Sequence, residues 1–236
     1  MIECPKCGLE SAIEAAECPR CGVVFAKVER RAAMAGLGAE PRDLLAPSST
    51  PKDPLSDIVQ MGRAAVLVGL IVWTWQFARA PMGTVAMESI LHLPNLVFHE
   101  AGHVILGFFG RFITVLGGSL FQFVVPLLLA VAFVRQRNPF AAAVCTWWAG
   151  ENLLDVAPYI ADARALQLIL LGGRTGAEVE GHDWEYLLTQ LNWLHLDRTL
   201  GLAAHRAGLV MMIGALFWGA MAIARNRAQI TRPSGG

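Results

Sequence analysis

From Arg63 onward, long apolar runs alternate with short polar breaks, many of them bounded by arginine. Residues 64–78 lie between Arg63 and Arg79, a length that crosses a bilayer when both arginine side chains snorkel and the flanks contribute. Residues 112–134 and 207–224 hold no charge and form the clearest spans. Residues 89–110 and 138–161 are also long enough, but each contains ionisable side chains, which are costly at membrane depth and mark function. Trp73, Trp75, Trp147, Trp148 and Trp218 suit interfacial or inter-helix positions. Residues 162–203 turn polar again, with Gly172, Gly173, Gly176 and Gly181 and an amphipathic helix predicted over 184–194. This region reads as a loop outside the hydrocarbon, in which residues 165–171 are too short to span but long enough to re-enter. The pattern predicts a mainly α fold, a polytopic transmembrane helix bundle of about 4–6 spans over residues 61–228.

The first 60 residues differ. Residues 1–30 read as a compact module and residues 31–60 as a linker, because Pro41, Pro47, Ser48, Ser49, Pro51 and Pro54 oppose packing. Composition agrees with membrane embedding: of 236 residues, 55% are hydrophobic and 16% charged, with mean hydropathy +0.47. The net charge of +0 comes without a basic helix, so no nucleic-acid partner is expected. Lys27, Arg30, Arg31, Arg42, Lys52 and Arg63 precede the first span and predict an integral, multi-pass membrane protein with a cytosolic N-terminus and no cleavable signal peptide. Five spans would carry Arg225, Arg227 and Arg232 to the opposite side, so either a segment re-enters or a further span exists.

Four of the five cysteines fall in the first 21 residues, as Cys4-Pro5-Lys6-Cys7-Gly8 and Cys18-Pro19-Arg20-Cys21-Gly22. Each Cys-x-x-Cys turn offers two thiolates to one ion, and glycine after the second cysteine permits the tight turn. Cys4, Cys7, Cys18 and Cys21 thus predict a structural Zn2+ in a zinc-knuckle domain too small to fold without it, with a protein partner as its candidate role. A redox dithiol would need a thioredoxin-like βαβ pattern, which the sequence lacks. Cys145 reads as a small packing residue.

In the apolar run 96–106 stands His99-Glu100-Ala101-Gly102-His103. Residues four apart on a helix project about 40° apart, so His99 and His103 can bind one ion while Glu100 handles a proton. Pro94 and Asn95 are plausible helix-start residues, and Gly102, Gly107 and Gly110 permit close backbone approach. With Phe98 before it, Gly107 and Gly110 after it, and Gly117-Gly118-Ser119 and Pro126 beyond, this segment resembles the site-2 protease family of intramembrane zinc metalloproteases. The resemblance implies a catalytic Zn2+ on His99 and His103, Glu100 as general base and acid, and a third ligand from an aspartate on a later transmembrane helix. The family's Leu-Asp-Gly sequence around that ligand and its PDZ-like insert are missing.

On a helix, Glu151, Asp155, Tyr159 and Asp162 share one face, with Pro158 interrupting the hydrogen bonding. Asp155, beside Asn152 in an apolar helix, is the expected third ligand, because coordination would satisfy a carboxylate that is otherwise costly there. His182 is the competitor: in His182-Asp183-Trp184 a preceding glycine and a following aromatic suit a loop returning to a site. Asn152 and Asp162 are expected to support the ligands, and Gln122, sharing a face with Ser119 and Pro126, to contact substrate or a neighbouring helix. His92, His195 and His205 read as local or interfacial. The expected function is hydrolysis of a peptide bond in or near the membrane, with a membrane protein as substrate and the lipid bilayer as surroundings. The alternatives are a non-proteolytic zinc scaffold or regulatory protein, and a metal-dependent enzyme acting on lipid or another small molecule.

Overall fold

The computed structural model describes residues 2–4, 6, 7, 9–11, 16–27, 56–83 and 85–231, with no side chain described beyond Arg225. The chain divides into two compact units, Met1–Leu44 and Leu45–Gly236. Most of the predicted linker, together with Pro5 and Gly8 of the first knuckle, lies outside the described residues.

In the first unit, strands β1 (Ile2–Glu3) and β2 (Glu10–Ser11) pair antiparallel, and Glu17 bridges Val24. The two cysteine turns repeat one backbone pattern. The Cys4 amide donates to the Leu9 carbonyl at 3.0 Å, and the Cys18 amide donates to the Val23 carbonyl at 2.8 Å. Gly22 sits at φ 68°, the left-handed region expected of the glycine that closes the second turn. Cys4, Cys18 and Phe25 form the buried centre of this unit.

The second unit is helical. Helix α1 (Ser56–Arg79) starts inside the predicted linker, so residues 56–60 are helix rather than connection. Helix α2 (His92–Ile105) begins slightly before the expected Pro94–Asn95 start, leaving Pro94 in the first turn, where a missing N–H breaks no helical bond. A 3-10 turn (Gly107–Phe109) and Gly110 lead directly into α3 (Arg111–Arg135). Helix α4 (Pro139–Ala161) starts at Asn138, whose side chain accepts from the Ala141 amide, and runs through Pro158 without ending. A polar stretch leads to the short α5 (Asp183–Gln190), which replaces the longer predicted 184–194 helix, and α6 (Asp197–Thr231) closes the chain.

Three of these helices are long and apolar enough to cross a membrane: Asp57–Arg79, Arg111–Arg135 and Leu194–Arg225. Helix α2, with 14 residues, extends only about 21 Å. The 23-residue α4 is the most buried of the long helices. It packs along α6 through small residues: a Cβ on Gly150 would lie 2.8 Å from the Gly208 carbonyl oxygen, and one on Gly201 would lie 2.7 Å from that of Ala157. Such contacts let the two helix backbones approach closely. Phe77, Trp147, Leu154 and Met212 fill the core between α1, α4 and α6, with the Trp147 indole donating to the Thr74 hydroxyl at 2.7 Å.

Candidate metal centre

Helices α2 and α3 touch backbone to backbone where Gly102 faces Gly117; a Cβ on Gly117 would stand 2.7 Å from the Gly102 carbonyl oxygen. One residue on, Gly118 lies against both imidazoles. A Cβ there would meet His99 Nε2 at 2.5 Å and His103 Nε2 at 2.6 Å. The glycine pair therefore clears the space into which the two histidines of α2 project. Asp183, the first residue of α5, fills the third corner. Its Oδ2 lies 2.9 Å from His99 Nε2 and 3.2 Å from His103 Nε2. The three ligand atoms lie within 4.8 Å of one another, a spacing that could hold a metal ion.

The far sides of the rings fix their tautomers. His103 Nδ1 lies 2.8 Å from the Thr114 carbonyl oxygen, an atom that can only accept, so Nδ1 carries the hydrogen. His99 Nδ1 lies 3.1 Å from Gln122 Oε1, and Gln122 uses its amide nitrogen to donate to Asp155 Oδ2 at 2.8 Å. That orientation leaves only the amide oxygen for His99, so Nδ1 is again the donor. Both Nε2 lone pairs then point, with a carboxylate oxygen, at one place. Three acceptors converging in a largely buried site require a cation or extra protons on both rings. Two imidazoliums with centroids 4.9 Å apart would repel each other, whereas one metal ion satisfies all three.

The carboxylate that faces the two histidines is Asp183, whereas the sequence pointed to Asp155. Asp155 instead accepts from Gln122, from Asn95 Nδ2 at 3.3 Å and from His92 Nδ1 at 2.8 Å, so its charge is satisfied away from the cluster. Asn95 also donates to Glu151 Oε2 at 2.9 Å and accepts from the Trp148 indole at 2.8 Å. The face of α4 carrying Glu151, Asp155 and Tyr159, with Asp162 at its C-terminal end, does meet polar partners: Glu151 and Asp155 meet side chains of α2 and α3, and Tyr159 meets the Asp183 amide. Asn152 is buried and donates back to the Trp148 carbonyl within its own helix. His182, the competing candidate, caps α5: its Nδ1 accepts from the Glu185 amide at 3.1 Å, and its Nε2 lies 3.5 Å from Asp162 Oδ2. Burial lowers its pKa, keeping it neutral for that role. Asp162 accepts from the Gln167 and Leu168 amides and shapes the loop that leads away from α4.

The loop returns Asp183 to the cluster through several anchors. The Asp183 amide donates to the Tyr159 hydroxyl at 2.8 Å, the Trp184 indole donates to Ser119 at 3.1 Å, and Arg111 stacks over Tyr186 at 4.6 Å. Gly181 sits at φ 122°, a backbone conformation available only to glycine at the approach to α5. The motif Gly181-His182-Asp183-Trp184 held this signal in sequence; the residue that reaches the cluster is the one after the histidine.

A cavity of about 440 Å³ opens beside the cluster, lined by Glu100, Asp183, Tyr159, both histidines and residues 168–171. Glu100 is exposed to it and makes no hydrogen bond or ion pair among the described residues. Residues 169 and 175 pair across a short antiparallel turn at the cavity wall, where the Ile169 and Leu171 side chains stand exposed. In the first unit the sulfurs of Cys4 and Cys21 approach to 3.5 Å and those of Cys7 and Cys18 to 3.6 Å, a second group that could hold a metal ion. Comparisons with protein-family models, curated proteins and solved structures find no match for this chain.

Proposed function

We propose that the chain is a multi-pass membrane zinc metalloprotease of the site-2 type, with a cytosolic N-terminus carrying a structural zinc knuckle. The observation that carries this reading is the convergence of His99, His103 and Asp183 on one point that opens to a cavity lined by an unengaged Glu100. Two imidazoles and one carboxylate are the ligand chemistry of hydrolytic zinc sites, and among the described residues no fourth protein ligand closes the set. A scaffold or regulatory site would need that closure.

Zinc held there would supply Lewis acidity toward a carbonyl oxygen and a water molecule. Glu100 takes the proton from the attacking water and delivers it to the leaving amine, a role for which a free carboxylate is required. Gln122 and the Thr114 carbonyl hold the two imidazoles in the tautomer that presents Nε2. The exposed apolar wall at residues 168–171 suits an extended segment of an apolar polypeptide better than a compact polar metabolite.

The test is Glu100→Gln expressed in the native membrane. The variant retains zinc and accumulates an uncut membrane protein that disappears when the unsubstituted chain is restored. Identical membrane proteomes for the two would overturn the protease reading, while loss of zinc from the variant would contradict a role for Glu100 as proton carrier alone.

A further inference from the structure

Of the polar side chains lining the cavity, all but one direct their donors at partners in the protein. His92 and Gln122 give theirs to Asp155, and His99 and His103 give their Nδ1 hydrogens to Gln122 and Thr114. Tyr159 differs. Its hydroxyl oxygen accepts the Asp183 amide at 2.8 Å, and its own hydrogen meets no acceptor among the described residues. The ring is held on two sides, with centroids 4.3 Å from His182 and 6.2 Å from His99, so the phenol is fixed at the cavity wall.

Covalent geometry sets the reach of that donor. A phenol oxygen 2.8 Å from the Asp183 amide nitrogen can stand at most roughly 7 Å from the Asp183 carboxylate oxygens, because the few bonds between that nitrogen and the carboxylate of the same residue span only about 4 to 5 Å. A bond from the phenol to a substrate oxygen bridges nearly half of it. The phenol is neutral, so it can give a hydrogen to an oxygen gaining negative charge while leaving the net charge of the site unchanged. Fixed donors of this kind stabilise developing charge because they need no reorganisation.

We propose that Tyr159 is the oxyanion donor of this site, giving its hydrogen bond to the substrate carbonyl oxygen as that oxygen becomes negative. The proposal rests on the metalloprotease reading. No bond to Tyr159 forms or breaks: the phenol keeps its proton throughout, and the proton traffic belongs to Glu100. One residue then has two tasks, since the same oxygen that accepts the Asp183 amide carries the hydrogen for the substrate.

The test uses the full chain, zinc-loaded in detergent, with two small zinc ligands as probes: acetohydroxamate, whose oxygens carry negative charge, and imidazole, which offers a neutral nitrogen and no oxygen acceptor. Tyr159→Phe keeps the zinc content of the unsubstituted chain, weakens acetohydroxamate by about 10- to 100-fold, the worth of one hydrogen bond to a charged group, and leaves imidazole unchanged. Equal acetohydroxamate affinity in both proteins would overturn the donor role and leave the metal site standing. Loss of zinc in Tyr159→Phe would show that Tyr159 only holds Asp183 in place. Failure of the unsubstituted chain to bind either probe would instead overturn the open metal centre itself.

Discussion

Two aspartates divide the work behind and in front of the histidines, and their surroundings say which does what. Asp183 faces both Nε2 atoms, whereas Asp155 faces His92, Asn95 and Gln122, and acts on the centre only through the Gln122 amide that orients His99. The full chain should carry two zinc ions, one for each cluster of ligands. Asp183→Ala removes a ligand and should reduce this to one, measured by elemental analysis of the purified chain. Asp155→Asn keeps the shape of the side chain but weakens the support of Gln122. It should hold both ions at saturating zinc and lower affinity at the histidine site by about 10- to 100-fold, as removal of supporting hydrogen bonds does elsewhere. The reverse pattern would return the ligand role to Asp155, where the charge cost of an apolar helix first placed it.

At the scale of elements, the centre depends on how closely α2 and α3 approach, and that depends on glycine. A methyl group at Gly118 has nowhere to go but into the two imidazole rings, so Gly118→Ala should lose the metal at the histidine site while retaining the one at the cysteines. Gly208→Val acts elsewhere: its branched side chain strikes Leu154 and the Gly150 carbonyl, so it should lower the thermal midpoint of the membrane unit without altering zinc stoichiometry in the protein that remains folded. A midpoint unchanged in detergent would show that the α4–α6 crossing is not tightly packed. The long apolar runs that became α1, α3 and α6, and the pair of histidines on one face of α2, were legible because each signal is local: it lies within one helix and follows from a 3.6-residue period. Asp183 was not legible in that way. Its placement depends on contacts across 24 residues to Tyr159, 65 to Ser119 and 84 to His99, none of which leaves a periodic trace. The apolar setting of Asp155 suggested a buried charge in need of a metal, when three hydrogen-bond donors from α2 and α3 supply what it needs. Likewise Asn95, read as a residue that starts a helix, lies fully buried one turn inside α2 and holds Glu151.

Across the whole molecule, two sites of different chemistry sit in separate compact units, so they should respond to solution conditions independently. Three sulfurs of Met1–Leu44, those of Cys4, Cys7 and Cys21, begin from unequal protonation. Burial raises the Cys4 thiol, but the amides of Lys6 and Cys7 and bonds from Cys21 and Cys7 reverse this and bring it to about 6. The Val23 amide lowers Cys21, but burial and the sulfurs of Cys4, Cys7 and Cys18 outweigh it and push it up to about 12. Cys7 is also raised: the Leu9 amide lowers it, yet burial and Cys18 prevail. At pH 7 the metal-free unit therefore holds Cys4 as a thiolate already, while Cys7 and Cys21 keep protons that a metal ion must displace. Because those protons are released on binding, affinity rises with pH and falls as acid restores them. With the protons of Cys7 and Cys21 displaced, the apparent Kd at the cysteine site should rise by at least roughly 100-fold for each unit of pH lost between 8 and 6.5, above the Cys4 value. Competition between the chain and a chromophoric chelator, repeated across that range with Asp183→Ala to silence the histidine site, measures this slope directly. A slope near zero would mean that the thiols are not the ligands, and removal of residues 1–44 should abolish the pH-dependent ion while leaving the ion at His99, His103 and Asp183 in place.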